Sequence, residues 1–375
     1  MIKRFAGQAL LVAGCLMGSA YAADDAASAD TVAINPDHPT TYVVQQGDTL
    51  WGISEKFLVN PWQWPEVWHI NEQVANPHLI YPGQTLRLVW KDGKPSLMVD
   101  AVAGQAVSSV AGGAVAEVMP DGKTVKLRPR IREQAYESAI PTIPLSAIKS
   151  FLNDSRVVTS DQLKMAPYLL AGSDDRVIMG RGDTVYAREL ASQWDAAYPD
   201  YGVYRQGPQY IDPETKELLG YEATKVGAVH IVSTDKDVAT MTVLSSREEL
   251  RVQDKLLLDD PRKIQSTFMP RPAPEGMRAR VVQVMGSIGS GARNDVIVIN
   301  KGERDQVSPG HVFSVMQRGE VVRDRARGDI VELPPVNAAM VIVFRSFEKV
   351  SYALVTRSTR PIARGDLLVP PTVIE

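Results

Sequence analysis

Thr41-Tyr-Val-Val-Gln-Gln-Gly-Asp-Thr-Leu-Trp51, completed further on by Asn76-Pro-His-Leu-Ile-Tyr-Pro-Gly-Gln-Thr-Leu86, decides how this chain is read. Tyr42-Val-Val44 reads as a short strand, Gly47 allows a tight turn, and Asp48 or Thr49 is placed to cap a helix by accepting a backbone N–H. Leu50, Ile53 and Phe57 recur at i, i+3 and i+7, one face of that helix. Asn60-Pro61 restarts the chain as cap and first helical position, Pro65 offers a second start, and the helix runs to Asn71. Thr85-Leu-Arg-Leu-Val89 alternates as a returning strand. The order is βααβ, an α+β module on a two-stranded antiparallel sheet.

These residues resemble a LysM domain, in Tyr-x-Val-x-x-Gly-Asp-Thr-Leu at 42–50, Asn-Pro at 76–77 and Tyr-Pro-Gly-Gln-Thr-Leu at 81–86. The resemblance covers residues 41–90. It implies binding of N-acetylglucosamine-containing polymers, peptidoglycan in bacteria. It also implies a sugar groove between Gly47, Asp48, Thr49 and Leu50 on one side and Asn76, Pro77, His78, Leu79 and Ile80 on the other. An N-acetyl group carries a methyl, a carbonyl and an N–H, so it needs an apolar notch beside backbone donors and acceptors. Leu50, Leu79 and Ile80 suit the notch, and the turns at Gly47 and Pro77 suit the backbone groups. Such a shallow groove binds weakly per site, and a repeating polymer compensates by rebinding.

Plainer readings stand beside these. Leu50 and Ile80 also serve as core in a domain this small. Asp48 is a capping residue before it is a sugar ligand, and His78 is a lone loop histidine. Trp62, Trp64 and Trp68 look like a stacking platform, but Trp64 and Trp68 are an i, i+4 pair and read as core.

Ahead of the module, Lys3 and Arg4 precede an apolar run, and Ala20-Tyr-Ala22 ends it with small residues, so residues 1–22 read as a cleaved export signal. Val12-Ala-Gly-Cys15 also resembles a lipoprotein-processing box, under which Cys15 would be acylated. The apolar run continues past it to a conventional cleavage site, the reading favoured here. Cys15 is the only cysteine, so the exported chain has no disulfide, thiolate metal site or cysteine nucleophile. Residues 23–40, rich in Ala, Asp, Ser and Pro, read as a flexible tether.

Residues 91–118 read as a second linker: a turn at Lys91-Asp-Gly-Lys-Pro95, then a low-complexity run of Ala, Val, Gly and Ser at 101–116. From 119 the texture is mostly β. Strands are expected at 125–132, 176–179, 184–188, 226–233, 240–244, 280–285, 295–299, 312–316, 339–344 and 352–356, with helices at 145–152 and 160–165. Ile140-Pro-Thr-Ile-Pro-Leu145 reads as extended.

An internal repeat pairs Tyr201-Gly-Val-Tyr-Arg-Gln-Gly207 with 310–319, and 239–257 with 352–368. Two related β units, 119–265 and 275–375, are the simplest account. Arg-Gly-Asp at 181–183, 327–329 and 364–366 is each time followed by apolar residues, which marks turns that start strands rather than adhesion motifs. Arg128, Arg130, Arg132 and Arg323, Arg325, Arg327 fall at period two, one face of a strand.

A net charge of −3 from 41 bases and 44 acids argues against nucleic acid as a partner. The five histidines lack zinc-ligand spacing, and neither a Gly-x-Ser-x-Gly elbow nor a phosphate loop occurs. No catalytic domain and no cofactor are expected.

A second resemblance is carried by Lys126-Leu-Arg-Pro-Arg-Ile-Arg132, Ala139-Ile-Pro-Thr-Ile-Pro144, Ala166-Pro-Tyr168, Gly182-Asp-Thr-Val-Tyr186, Val298-Ile-Asn-Lys-Gly302, Val307-Ser-Pro-Gly-His-Val312 and Val350-Ser-Tyr-Ala-Leu-Val355. Together with the module they resemble the LysM proteins associated with type IV pilus secretins (the TsaP-like family). The last part is similar to the C-terminal domain of a flagellar T-ring protein. The resemblance implies a periplasmic, non-enzymatic protein that ties an outer-membrane secretin to the cell wall. The alternatives are a wall-bound scaffold of another envelope machine, flagellar or secretory, and a cell-wall hydrolase of unrecognised type.

Overall fold

In the computed structural model, residues 32–68, 80–91, 93–100, 115–118, 125–128, 139–190, 194, 198–258, 268–286 and 289–372 are described. Strands β1 (Thr41–Val43) and β2 (Thr85–Lys91) pair antiparallel, with Tyr42 opposite Leu86. Helix α1 (Leu50–Phe57) lies between them in sequence, and its apolar face of Leu50, Ile53 and Phe57 packs on Val44, Trp64, Trp68, Ile80 and Leu86. Trp64 and Trp68 are core, as their spacing indicates. The second helical segment, Pro61–Val67, is 3-10 and contains Pro65. Proline removes an N–H and crowds the preceding turn, so an α-helix is not sustained there. The expected run to Asn71 lies outside the described residues.

Two stretches assigned to linkers belong to this module instead. Strand β3 (Lys94–Asp100) pairs with all of β2, from Thr85 opposite Asp100 to Lys91 opposite Lys94. Leu97 and Val99 thereby reach the module core, and Gly93 at φ +77° forms the turn. Upstream, residues 32–35 are held as well. The Asn35 N–H donates to the Phe57 carbonyl at 2.9 Å, the Val59 N–H donates to the Ala33 carbonyl at 3.0 Å, and Val32 and Ile34 pack on the same core. Of the low-complexity run, 101–114 lies outside the described residues, and Val115–Val118 pairs with Val125–Arg128.

Helices α2 (Leu145–Asn153) and α3 (Ser160–Met165) lead into two antiparallel barrels. The first contains β4 (Tyr168–Gly172), β5 (Thr184–Arg188), β6 (Asp200–Ile211), β7 (Leu218–Asp235), β8 (Val238–Ser246) and β9 (Lys255–Leu258). Their ring order is β4-β5-β8-β7-β6-β9, closed by β9 on β4. The second contains β10 (Ala279–Val284), β11 (Val296–Ile299), β12 (His311–Gln317), β13 (Val336–Ser346), β14 (Ser351–Ser358) and β15 (Leu367–Val369). Its order is β10-β11-β14-β13-β12-β15, closed by β15 on β10. The connectivity is the same in both rings.

The corresponding turns are alike too. Before β5 and β9, the Asp183 carboxylate accepts the Gly180 N–H and the Asp254 carboxylate accepts the Arg251 N–H, each at 2.9 or 2.8 Å. Before β11 and β15, Asp295 accepts from Ala292 and Asp366 from Ala363, both at 2.8 Å. Two of these four aspartates end Arg-Gly-Asp copies. The third copy, 327–329, precedes the strand Ile330–Glu332. All three copies are turns that start strands. The arginine run at 323–327 is not one strand face: Arg323 ends the strand Val321–Arg323, and Arg325 and Arg327 lie in the turn beyond it. Residues 129–138, with Arg130 and Arg132, lie outside the described residues.

The second barrel is buried on both sides. Ile297 and Ile299 point into it, whereas Val296 and Val298 point out into a cluster shared with Trp51, Trp62, Ile148, Tyr210 and Leu219. That double burial explains the unbroken apolar run of β11. Arg345 caps α2 from β13, donating to the carbonyls of Phe151, Leu152 and Ser155 at 3.0, 3.0 and 2.7 Å. The Tyr352 hydroxyl lies 3.1 Å from that of Ser155 and 3.4 Å from that of Tyr210, and burial pushes its phenol up to about 12.

A polar seam completes the join between barrels. Asn300 donates to Asp212 at 2.8 Å, Arg280 to Glu214 at 2.7 Å, and Glu217 accepts from Arg304 at 2.9 Å and Lys349 at 2.7 Å. Hydrogen bonds from Arg304 and then Lys349 hold the Glu217 carboxyl down to about 2. A depressed carboxylate stabilises the fold above its unfolded value and loses that contribution as pH falls through the folded one. Glu217→Gln is therefore expected to destabilise the fold at pH 7 by about 0.5–1 kcal/mol, the scale of a partly exposed network, and so to lower the melting temperature. The difference from the unmodified chain should shrink between pH 4.5 and 2. Melting curves across that range check it, and a gap independent of pH would contradict the assignment.

Candidate functional site

Gly47 adopts φ +92°, a conformation that strains any residue with a Cβ, and nothing lies near the space a side chain would fill. The Asp48 carboxylate is turned inward, accepting the Gln45 N–H at 2.8 Å and the Tyr42 hydroxyl at 2.9 Å. Burial, together with Asp48, pushes the Tyr42 phenol up to about 12. Thr49 is the helix cap, its Oγ1 accepting the Gly52 N–H at 3.1 Å. The turn 81–84 ties the far wall to the near one: the Val44 N–H donates to the Gln84 carbonyl, and the Gly83 N–H to the Val44 carbonyl, both at 2.8 Å.

Leu50 and Ile80 are both buried in the module core. What they offer outward is backbone, the Leu50 N–H and the Ile80 carbonyl. Asn76, Pro77, His78 and Leu79 lie outside the described residues. Leu50 and Ile80 thus share one core, and Gly47, Asp48 and Thr49 form the turn into the helix that Leu50 begins.

The backbone of Leu50, Trp51 and Ile80 is met by a segment the groove motif does not include. The Ile140 N–H donates to the Ile80 carbonyl at 2.8 Å, the Leu50 N–H donates to the Pro141 carbonyl at 3.0 Å, and the Trp51 N–H donates to the Thr142 carbonyl at 3.0 Å. A helix leaves its first N–H groups without intrahelical partners. Here Thr49 takes one and residues 141–142 take two. Pro141 and Pro144 favour the extended backbone this requires. The local signal was the extended reading of residues 140–145; nothing nearby in sequence pointed to where they dock.

Trp51 is the other residue the helical pattern leaves out. One position past Leu50, it is rotated about 100° around α1 and faces away from the module core. It is 2% exposed, within the cluster on the outer face of the second barrel. Its indole N–H donates to Glu55 at 3.3 Å, and Glu55 accepts from Arg293 of the second barrel at 3.0 Å. Among the described residues, no group of three or more His, Cys, Asp or Glu is placed to hold a metal ion, and no helix is long and apolar enough to cross a membrane.

Residues 42–89 match the family model described as LysM domain. The Uncharacterized protein YqbP of Bacillus subtilis (strain 168) is 35% identical over 60 residues, covering 13% of this chain and 27% of that protein. The match thus spans about a quarter of the length of this curated relative. Thr49, Leu50 and Ile80 therefore lie in a LysM domain, a module that binds N-acetylglucosamine glycans such as peptidoglycan and is not itself catalytic.

Proposed function

We propose that this chain is a non-catalytic periplasmic anchor that grips peptidoglycan and holds an outer-membrane secretin, that of the type IV pilus, to the cell wall. The observation that carries this reading is the seating of the LysM domain on the second barrel through Trp51 and the Glu55–Arg293 pair. A glycan grip packed against the β region transmits position, whereas a substrate-feeding arm needs freedom from it. Residues 1–22 supply export, and Gly47, Asp48, Thr49, Leu50, Asn76, Pro77, His78, Leu79 and Ile80 form the sugar groove. The shared ring order and matching aspartate turns support a duplication of one β unit.

The full chain is expected to pellet with purified sacculi and to bring a secretin with it when solubilised from membranes. Failure to pellet at any sacculus concentration sinks the wall-binding half. A flagellar or secretory partner in place of the secretin would favour the second reading, a wall-bound scaffold of another envelope machine, which the T-ring similarity supports. Release of soluble muropeptides would favour the third, a hydrolase.

A further inference from the structure

We propose that residues 140–142 are a built-in occupant of the LysM sugar groove, standing where an N-acetylated glycan binds and leaving when it does. The inference rests on the glycan-binding reading and adds a condition to it.

The segment reproduces the chemistry an N-acetyl group brings. Its amide N–H, on Ile140, reaches the Ile80 carbonyl at 2.8 Å. Its carbonyls, on Pro141 and Thr142, take the Leu50 and Trp51 N–H groups at 3.0 Å. Its apolar group is the Ile140 side chain, 4% exposed and packed in the LysM core with Leu50 and Ile80. A sugar cannot use the same two N–H donors while these bonds persist. Thr142 is held from behind, its Oγ1 accepting the Phe268 N–H at 3.3 Å, and Phe268 belongs to the cluster on the second barrel. The groove is thereby closed from the side that faces the β region. A site available only in a minor open state binds more weakly by the fraction of time it is open.

The probe is a soluble N-acetylglucosamine hexamer, titrated into the full chain and into Ile140→Gly, which removes the apolar anchor and loosens the backbone. Ile140→Gly should bind at least tenfold more tightly, with Ile140→Val close to the unmodified chain. Equal affinities of the unmodified chain and Ile140→Gly would overturn occlusion and leave glycan binding intact. Absence of binding by both, with the Leu50 and Trp51 amides of Ile140→Gly exchanging freely with solvent, would overturn the glycan reading and the inference with it. Hydrogen exchange on the unmodified chain supplies a measurement independent of how the variant folds. Saturating hexamer should speed exchange at the residue 140 amide, and hexamer bound with that amide still protected would overturn the proposal.

Discussion

Trp51→Ala is expected to destabilise the protein by about 3–5 kcal/mol, the range for removing a buried aromatic side chain. Leu50, Ile53 and Phe57 turn one face of α1 into its own module, and Trp51 turns another onto the outer face of the second barrel. The indole is almost wholly enclosed there, beside Trp62 and Ile143. Removing it leaves a cavity at the join, not inside either partner, so the loss falls on the coupling between them. A denaturation profile should show the LysM transition separating from that of the barrels, with earlier proteolytic cleavage near residue 143. Glu55→Gln removes only the partly exposed ion pair to Arg293 and should cost no more than about 1 kcal/mol. A loss for Trp51→Ala no larger than that would mean the docking is not held by this side chain.

The second large effect is expected at Gly310, which opens β12. Its φ is +97°, and a Cβ built there would run into the carbonyl of Met269. Its own N–H donates to the Val343 carbonyl at 2.7 Å, and its carbonyl accepts from Arg271 at 3.0 Å, so the backbone has no room to retreat. Gly310→Ala combines a left-handed backbone, about 1–3 kcal/mol, with overpacking of about 1–3 kcal/mol, and should cost about 2–6 kcal/mol in the second barrel. Gly365→Ala is the control: φ is +92°, but a Cβ there meets nothing within 4 Å. Chemical denaturation of both variants separates the terms. Equal losses would show that Met269 yields without cost.

Much of this molecule follows from short-range chemistry and was legible for that reason. Gly47, the Asp48 and Thr49 turn and the face of Leu50, Ile53 and Phe57 interact within a few residues of one another. So do the Gly-Asp turns that start β5 and β15, where the aspartate closes on an N–H three residues back. The tryptophans at 64 and 68 were legible as core. The strands at 168–172, 200–211 and 255–258 were not, because their neighbours in the rings are far away in sequence and their own alternation is weak. Strand β3 escaped for a similar reason: only pairing with β2 gives Leu97 and Val99 a buried face.

What the sequence by itself determined is the type of module, its helix cap and the turns that begin strands, since each depends on neighbours a few bonds away. What only the tertiary structure decided is what faces those elements. Leu50 and Pro141, Ile80 and Ile140, and Glu55 and Arg293 meet through chain closures whose outcome depends on packing across the whole fold. The LysM motif identifies the module, and the fold bonds residues 140–142 of the same chain to the backbone of Leu50, Trp51 and Ile80.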